Sequence, residues 1–114
     1  MNDCIFCKII AGELPSNKVY EDDRVLAFKD IHPMAPVHIL VIPKVHIKDM
    51  NALTDDNVGI VSHIFTVIPK IAEAQGIGES GYRVACNCGP DSWGAVDHLH
   101  FHLMGGQKLS QTMA

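Results

Sequence analysis

Apolar and polar positions along this chain switch between helix and strand periods. Residues 4–10 form a short apolar segment of one or two helical turns that stops at Gly12. After the connector Leu14-Pro15-Ser16, the segments Lys18–Glu21 and Arg24–Phe28 read as the strands of a hairpin turning at Asp22-Asp23. Asp30–Pro36 holds two prolines and predicts an extended loop. The apolar run Val37–Ile42, ended by Pro43, predicts a third strand, and His46–Leu53 a short helical or irregular link. Thr54-Asp55-Asp56 has the character of a helix start, a capping hydroxyl followed by two acids where the helix dipole favours them. Val58, Val61, Ile64, Phe65, Ile68, Ile71 and Ala72 then recur at helical spacing up to Gly76 and Gly78. Pro69 removes a bond to the Phe65 carbonyl, so a bend is expected there. Tyr82–Cys86 predicts a fourth strand, Asn87–Gly94 a loop, and Val96–Met104 a fifth strand stopped by Gly105-Gly106, before a polar tail. The expected fold is α+β, one domain over residues 1–114: a five-stranded antiparallel meander sheet with one long helix and a short N-terminal helix. One long helix leaves sheet surface and an edge to cover, which points to a homodimer.

The fifth strand carries the chemistry. In His98-Leu99-His100-Phe101-His102-Leu103-Met104, period-two alternation puts three imidazoles on one face and Leu99, Phe101 and Leu103 on the other. Successive rings on such a face lie roughly 6.5–7 Å apart. Imidazole titrates near neutrality, binds metals and serves as nucleophile or proton carrier. The run therefore predicts either a metal site or a catalytic site for a small, anionic group. Three ligands at that spacing do not reach one zinc at about 2.0–2.1 Å without distortion, which favours catalysis.

Composition narrows the class. Of 114 residues, 47% are apolar and 19% charged, as in a globular protein with one core. A formal net charge of −4, with no Lys/Arg cluster, argues against nucleic-acid binding. Met1-Asn2-Asp3-Cys4 is not the start of a signal peptide, and the aliphatic run Ile39–Ile42 is far too short to cross a bilayer. The expectation is a cytoplasmic protein engaging neither membrane nor nucleic acid. Cys4 and Cys7 have the two-residue gap of a zinc half-site, whereas Cys86-Asn87-Cys88 does not. Cys86 is expected as a small buried hydrophobe, and disulfides are disfavoured without an export signal.

His98–Met104 matches the histidine-triad pattern, and the resemblance extends over nearly the whole chain. Cys4-Ile5-Phe6-Cys7-Lys8-Ile9-Ile10, Val19-Tyr20-Glu21-Asp22 and Ala27-Phe28-Lys29-Asp30-Ile31 look like the opening of that family. Ala35–Lys44 looks like its central strand, and Gly81-Tyr82-Arg83 with Asn87 like its fourth. The chain resembles the histidine triad (HIT) family, and is most similar to its Hint-like nucleotide-binding branch. That resemblance implies a homodimer with a continuous sheet. It also implies an enzyme that hydrolyses or transfers nucleoside monophosphates, taken from purine nucleoside phosphoramidates or acyl-adenylates, so that AMP or GMP is the implied ligand. It assigns His100 as the nucleophile of a nucleotidyl–histidine intermediate, oriented by a ring hydrogen bond to the His98 carbonyl. His102 would stabilise phosphoryl oxygens or leaving group, and His38 would hydrogen-bond within the triad. Asp30 would accept from the ribose hydroxyls; Ile31, Phe28 and Leu40 would form the base pocket; Asn87 and Ala95 would lie by ribose and phosphate. Relatives in the wider family bind zinc through two N-terminal cysteines, a histidine and the first triad histidine, which implies Cys4, Cys7, His46 and His98.

The residues themselves leave rivals open. Asp30 and Asn87 also suit turns. Phe28 and Leu40 suit a plain core, and His38 suits a hydrogen-bonded core position. Cys4 and Cys7 suit buried positions without metal. The family carries Gln and Ser four and three residues before the first triad histidine, where Ser92-Trp93-Gly94-Ala95-Val96 supplies Gly94 and Ala95. Two side-chain donors are therefore missing, and losing one that acts in the transition state costs roughly 10²–10³ in turnover. Dinucleoside polyphosphate hydrolysis, and nucleotide or zinc binding without catalysis, stand as alternatives. His32 and His63 match no functional position and are expected at the surface.

Overall fold

The computed structural model describes residues 3–112; Met1, Asn2, Met113 and Ala114 lie outside the described residues. Five strands form one antiparallel sheet: β1 (Lys18–Glu21), β2 (Val25–Lys29), β3 (Val37–Pro43), β4 (Tyr82–Ala85) and β5 (Phe101–Gly105). Two α-helices join them, α1 (Ile5–Ile10) and α2 (Gly59–Ala74). The spatial order is β1-β2-β3-β5-β4, so the first three strands meander, α2 carries the chain out to the edge, and β5 returns into the gap. The insertion departs from a simple meander for a reason of burial. Leu103 of β5 is wholly buried and needs neighbours on both sides, whereas β4 is partly exposed along its length and suits an edge.

Side-chain parity splits the sheet into two apolar faces. Val25, Ala27, Ile39, Val41, Phe101 and Leu103 point to one side and pack against Ile64, Val67, Ile68 and Ile71 of α2. Leu26, Phe28, Leu40 and Ile42 point to the other and meet Phe6 and Ile9 of α1. β2 and β3 are thus covered on both faces, which explains their near-continuous apolar sequence. Among the described residues no helix is long and apolar enough to cross a membrane.

The structure moves two expected boundaries. The strand expected over Val96–Met104 enters the sheet only at Phe101, paired with Val41 of β3. Before that point the chain bonds to the segment beyond β3: the Leu99 N–H donates to the Ile47 carbonyl at 2.6 Å, and His98 Nε2 meets the Pro43 carbonyl at 2.9 Å. The helix expected from Thr54 begins at Gly59. Thr54 and Asn57 close a turn of their own, with Thr54 N–H on Asn57 Oδ1 and the Val58 N–H on the Thr54 carbonyl, so Asp55 and Asp56 precede the helix. Helix α2 runs through Pro69, which sits on its exposed side.

His63 is no idle surface residue. Its Nε2 lies 2.8 Å from Asp22 Oδ2, which also accepts from the Tyr20 hydroxyl at 2.8 Å. Asp22 Oδ1 accepts the Arg24 and Val25 N–H groups, so one carboxylate closes the β1–β2 turn and clamps it to α2. Burial works to raise the Asp22 carboxyl, but these donors outweigh it and hold the group well below the usual carboxylate range. Asp22→Ala is expected to cost about 2 kcal/mol in urea denaturation. Because Asp22 and His63 are each other's partners, His63→Ala combined with it should cost less than the sum, and strict additivity would remove the clamp.

Candidate active site

The histidines meet on the face opposite α2, at the junction of β3, β5 and the segment leading into β5. His102 faces Leu40 of β3 on one side and Ala85 of β4 on the other. His38 faces Met104, one diagonal step away, and its Nε2 lies 2.9 Å from His102 Nδ1. His100 stands beside His102 with ring centroids 5.1 Å apart. His98 is wholly buried behind them.

Hydrogen-bond partners decide the tautomers. His38 Nδ1 accepts the Met34 N–H at 3.0 Å, so the proton of neutral His38 sits on Nε2 and points at His102 Nδ1. Neutral His102 then carries its own proton on Nε2. His100 Nδ1 lies 2.7 Å from the His98 carbonyl, which accepts only, so Nδ1 holds the proton and Nε2 holds a lone pair. Among the described residues nothing hydrogen-bonds that Nε2. The same logic gives His98 a proton on Nε2, donated to the Pro43 carbonyl, and a lone pair on Nδ1.

Burial lowers the pKa of His38 against a raising contribution from Asp30, and lowers that of His98. It pushes His102 down to about 4, with His100 and His38 adding to the effect. His38, His98 and His102 are therefore neutral at pH 7.

A pocket of about 470 Å³ opens over these rings, lined by His38, His100, His102, Asn87, Ser92, Ala95 and Arg83, with Met34, Trp93, Met104 and Leu109 as apolar wall. That volume suits a small organic ligand. A larger hollow of about 670 Å³, between Gly76 and Leu109, contains no histidine. The tail reaches its own chain's pocket, where Leu109 and Ser110 form part of the wall and Arg83 donates to the Ser110 carbonyl at 2.7 Å.

Other expected site residues are placed as follows. Asn87 lines the pocket, but its amide donates to the Ser92 carbonyl at 2.7 Å and holds the following loop. Asp30 Oδ1 accepts the His32 N–H, while Oδ2 lies 3.4 Å from His38 Nε2. Phe28 and Leu40 lie in the apolar cluster under α1, and Ile31 is 86% exposed. None of Asp30, Ile31, Phe28 and Leu40 is in the pocket wall. Sequence reasoning missed Phe6, whose ring meets His100 edge-on at 5.3 Å and Phe28 at 5.6 Å. It also missed Met104, although the two-residue step from His102 places it on the same strand face.

Behind the pocket, Cys4, Cys7, His46 and His98 bring four donor atoms within 4.8 Å of one another. Cys4 Sγ lies 3.2 Å from His98 Nδ1, and Cys7 Sγ lies 3.3 Å from His46 Nδ1 and 3.5 Å from His98 Nδ1. A tetrahedral centre with two sulfur and two nitrogen ligands has edges of about 3.5 Å. The His98 lone pair faces both sulfurs, so the donor set fits a divalent metal. Burial, the proximity of Cys7 among the causes, raises the Cys4 thiol. A second group, Asp30, His38 and His102, lies within the same limit but belongs to the pocket.

Residues 3–114 match the family described as scavenger mRNA decapping enzyme C-term binding. The chain is 44% identical to the purine nucleoside phosphoramidase of Escherichia coli K12 over 98% of this chain and 94% of that one. A histidine triad protein from Clostridium difficile superposes with a TM-score of 0.95 at 53% identity, covering 99% of this chain and 98% of the other. A HIT family hydrolase from Clostridium thermocellum gives a TM-score of 0.96 at 46% identity, covering 100% and 99%.

The depressed His102 ties stability to pH. An unfolded histidine titrates near pH 6.5, so between that value and about 4 the unfolded chain takes up a proton that the folded chain refuses. Stability is therefore expected to fall as pH drops from about 6.5 towards 4, and to be flat with respect to this group above 6.5. Urea midpoints across this range should show the slope, and His102→Gln should reduce it; an unchanged slope would contradict the assigned burial of a neutral ring.

Proposed function

Because the chain belongs to the histidine triad family, we propose that it is a nucleotide hydrolase cleaving the phosphorus–nitrogen bond of purine nucleoside phosphoramidates. The observation that carries this reading is the 2.7 Å bond from His100 Nδ1 to the His98 carbonyl, which leaves a lone pair on Nε2 at the pocket. That lone pair attacks phosphorus, and the P–N bond breaks as the leaving nitrogen takes its proton from solvent water. Neutral His102 presents its Nε2–H to the phosphoryl oxygens or the leaving nitrogen, held in that tautomer by His38. Water then cleaves the nucleotidyl–histidine bond, releasing the nucleoside monophosphate and returning His100 to its neutral form. The activity named for the Escherichia coli relative supports the choice of bond.

The remaining assignments rest on the same reading. AMP or GMP is the nucleotide, with Asp30 at the ribose, Phe28, Leu40 and Ile31 towards the base, and Asn87 and Ala95 beside the phosphate. Phe6 joins the base side through its contact with Phe28. The free edge of β4, a four-residue strand, is the surface through which two copies join their sheets. Cys4, Cys7, His46 and His98 hold zinc as a closed structural site, which supplies a cross-link between α1 and the sheet. His98 thereby fixes the carbonyl that orients His100.

Steady-state hydrolysis of adenosine 5′-phosphoramidate is expected for the wild type, with kcat falling at least about 10³-fold in His100→Ala while AMP still binds. Full turnover by His100→Ala would remove the covalent step. Preference for a diadenosine polyphosphate would reassign the bond, and AMP binding without wild-type turnover would make the protein a binding module. Metal analysis should give one zinc per chain, lost in Cys4→Ser together with a lower Tm. Absence of zinc from the wild type, with an unchanged fold in Cys4→Ser, would dismiss the metal.

A further inference from the structure

We propose that Trp93 is a stacking platform for an aromatic ring carried by the substrate, a proposal that rests on the nucleotide reading of the pocket. Trp93 lines the same pocket as His100 and His102, yet the residue is 91% exposed. Trp is among the residues that gain most from burial, and an indole held in water at a pocket mouth is an apolar surface awaiting a partner. Its backbone strengthens the case. Trp93 has φ 61, in the left-handed region, and it is the one non-glycine residue with positive φ among the described residues. Strain of this kind persists where surrounding bonds enforce it, and it collects at binding sites.

Those bonds are present. The Trp93 N–H donates to the Pro90 carbonyl at 3.0 Å, and the Gly94 N–H to the Gly89 carbonyl at 3.2 Å. The Ser92 hydroxyl donates to the Gly89 carbonyl at 2.8 Å, and the Asn87 amide to the Ser92 carbonyl at 2.7 Å. The turn is closed by its own hydrogen bonds and carries the indole at the mouth, where Met34, 75% exposed, adds a second large apolar side chain to the same wall. A thioether and an indole at one opening suit a flat, polarisable ring. A purine base and an aromatic amine on phosphorus both present one. The shared chemistry is π-stacking, and the two sources separate by experiment.

Trp93 is the chain's sole tryptophan, so its emission reports on this position alone. The full-length protein is titrated with AMP, with ribose 5-(N-benzylphosphoramidate) and with ribose 5-phosphate, using His100→Ala to prevent turnover, and binding is measured in parallel by calorimetry. The expected result is an emission change with AMP or with the benzyl amidate but not with ribose 5-phosphate. A response to AMP identifies the base as the stacked ring, and a response to the benzyl amidate identifies the leaving group. Trp93→Gly, which relieves the positive φ, should keep the folded spectrum and weaken the responding ligand roughly tenfold. AMP and benzyl amidate binding by calorimetry with silent emission, or with unchanged affinity in Trp93→Gly, overturns the stacking role alone. Failure of both AMP and the benzyl amidate to bind overturns the nucleotide reading and this proposal with it.

Discussion

The imidazole of His98 joins three parts of the chain at one buried point: the N-terminal segment, the end of β3 and the run that carries His100. It is wholly buried, its Nε2 bonds to the Pro43 carbonyl at the end of β3, and its Nδ1 faces two thiols of the N-terminal segment. Its own carbonyl accepts from the ring of His100. A buried imidazole with both ring nitrogens and its carbonyl committed has essentially one orientation available. The orientation of the His100 ring follows from it, and it adds to the apolar contacts of Phe6 and Ile9 that hold α1 on the sheet. The pocket is built on the outer side of this arrangement and the sulfur pair on the inner side.

Much of this was legible from residue pattern. The alternation from His98 to Met104 points to rings on a shared face, whereas the bond from the His100 ring to the His98 carbonyl was implied by the family resemblance and not by spacing. The four donors behind the pocket were reachable from the Cys-x-x-Cys gap once the family resemblance supplied the two histidines, and the structure brings all four together. Strand order was less accessible. Alternation says that Val96–Met104 and Tyr82–Cys86 are extended, but not which of them occupies the inner slot; that depends on how much of each face is covered, a property of the assembled sheet.

The residues that reading along the chain missed are those whose partners the local pattern does not reveal. Phe6 reaches His100 from a helix almost a hundred positions earlier, and Met34 acts on His38 through its backbone N–H, to which side-chain identity gives no clue. Read along the chain, Asp22 marks a turn and His63 a surface position, and their pairing spans a hairpin and a helix. Local chemistry was readable; which distant pieces it would be spent on was decided by packing.

The turn from Gly89 to Gly94 has an implication for how this site changes over time. A Cβ built on Gly94 would lie 3.1 Å from the Gly89 carbonyl oxygen and 3.3 Å from its nitrogen, while Gly89 itself has φ 82. No longer residue enters position 94 without the backbone at 89 giving way. The two positions are therefore coupled: a side-chain donor at 94 is accommodated only as far as the backbone at 89 yields by a few tenths of an ångström, so the effect of a substitution at one depends on the residue at the other.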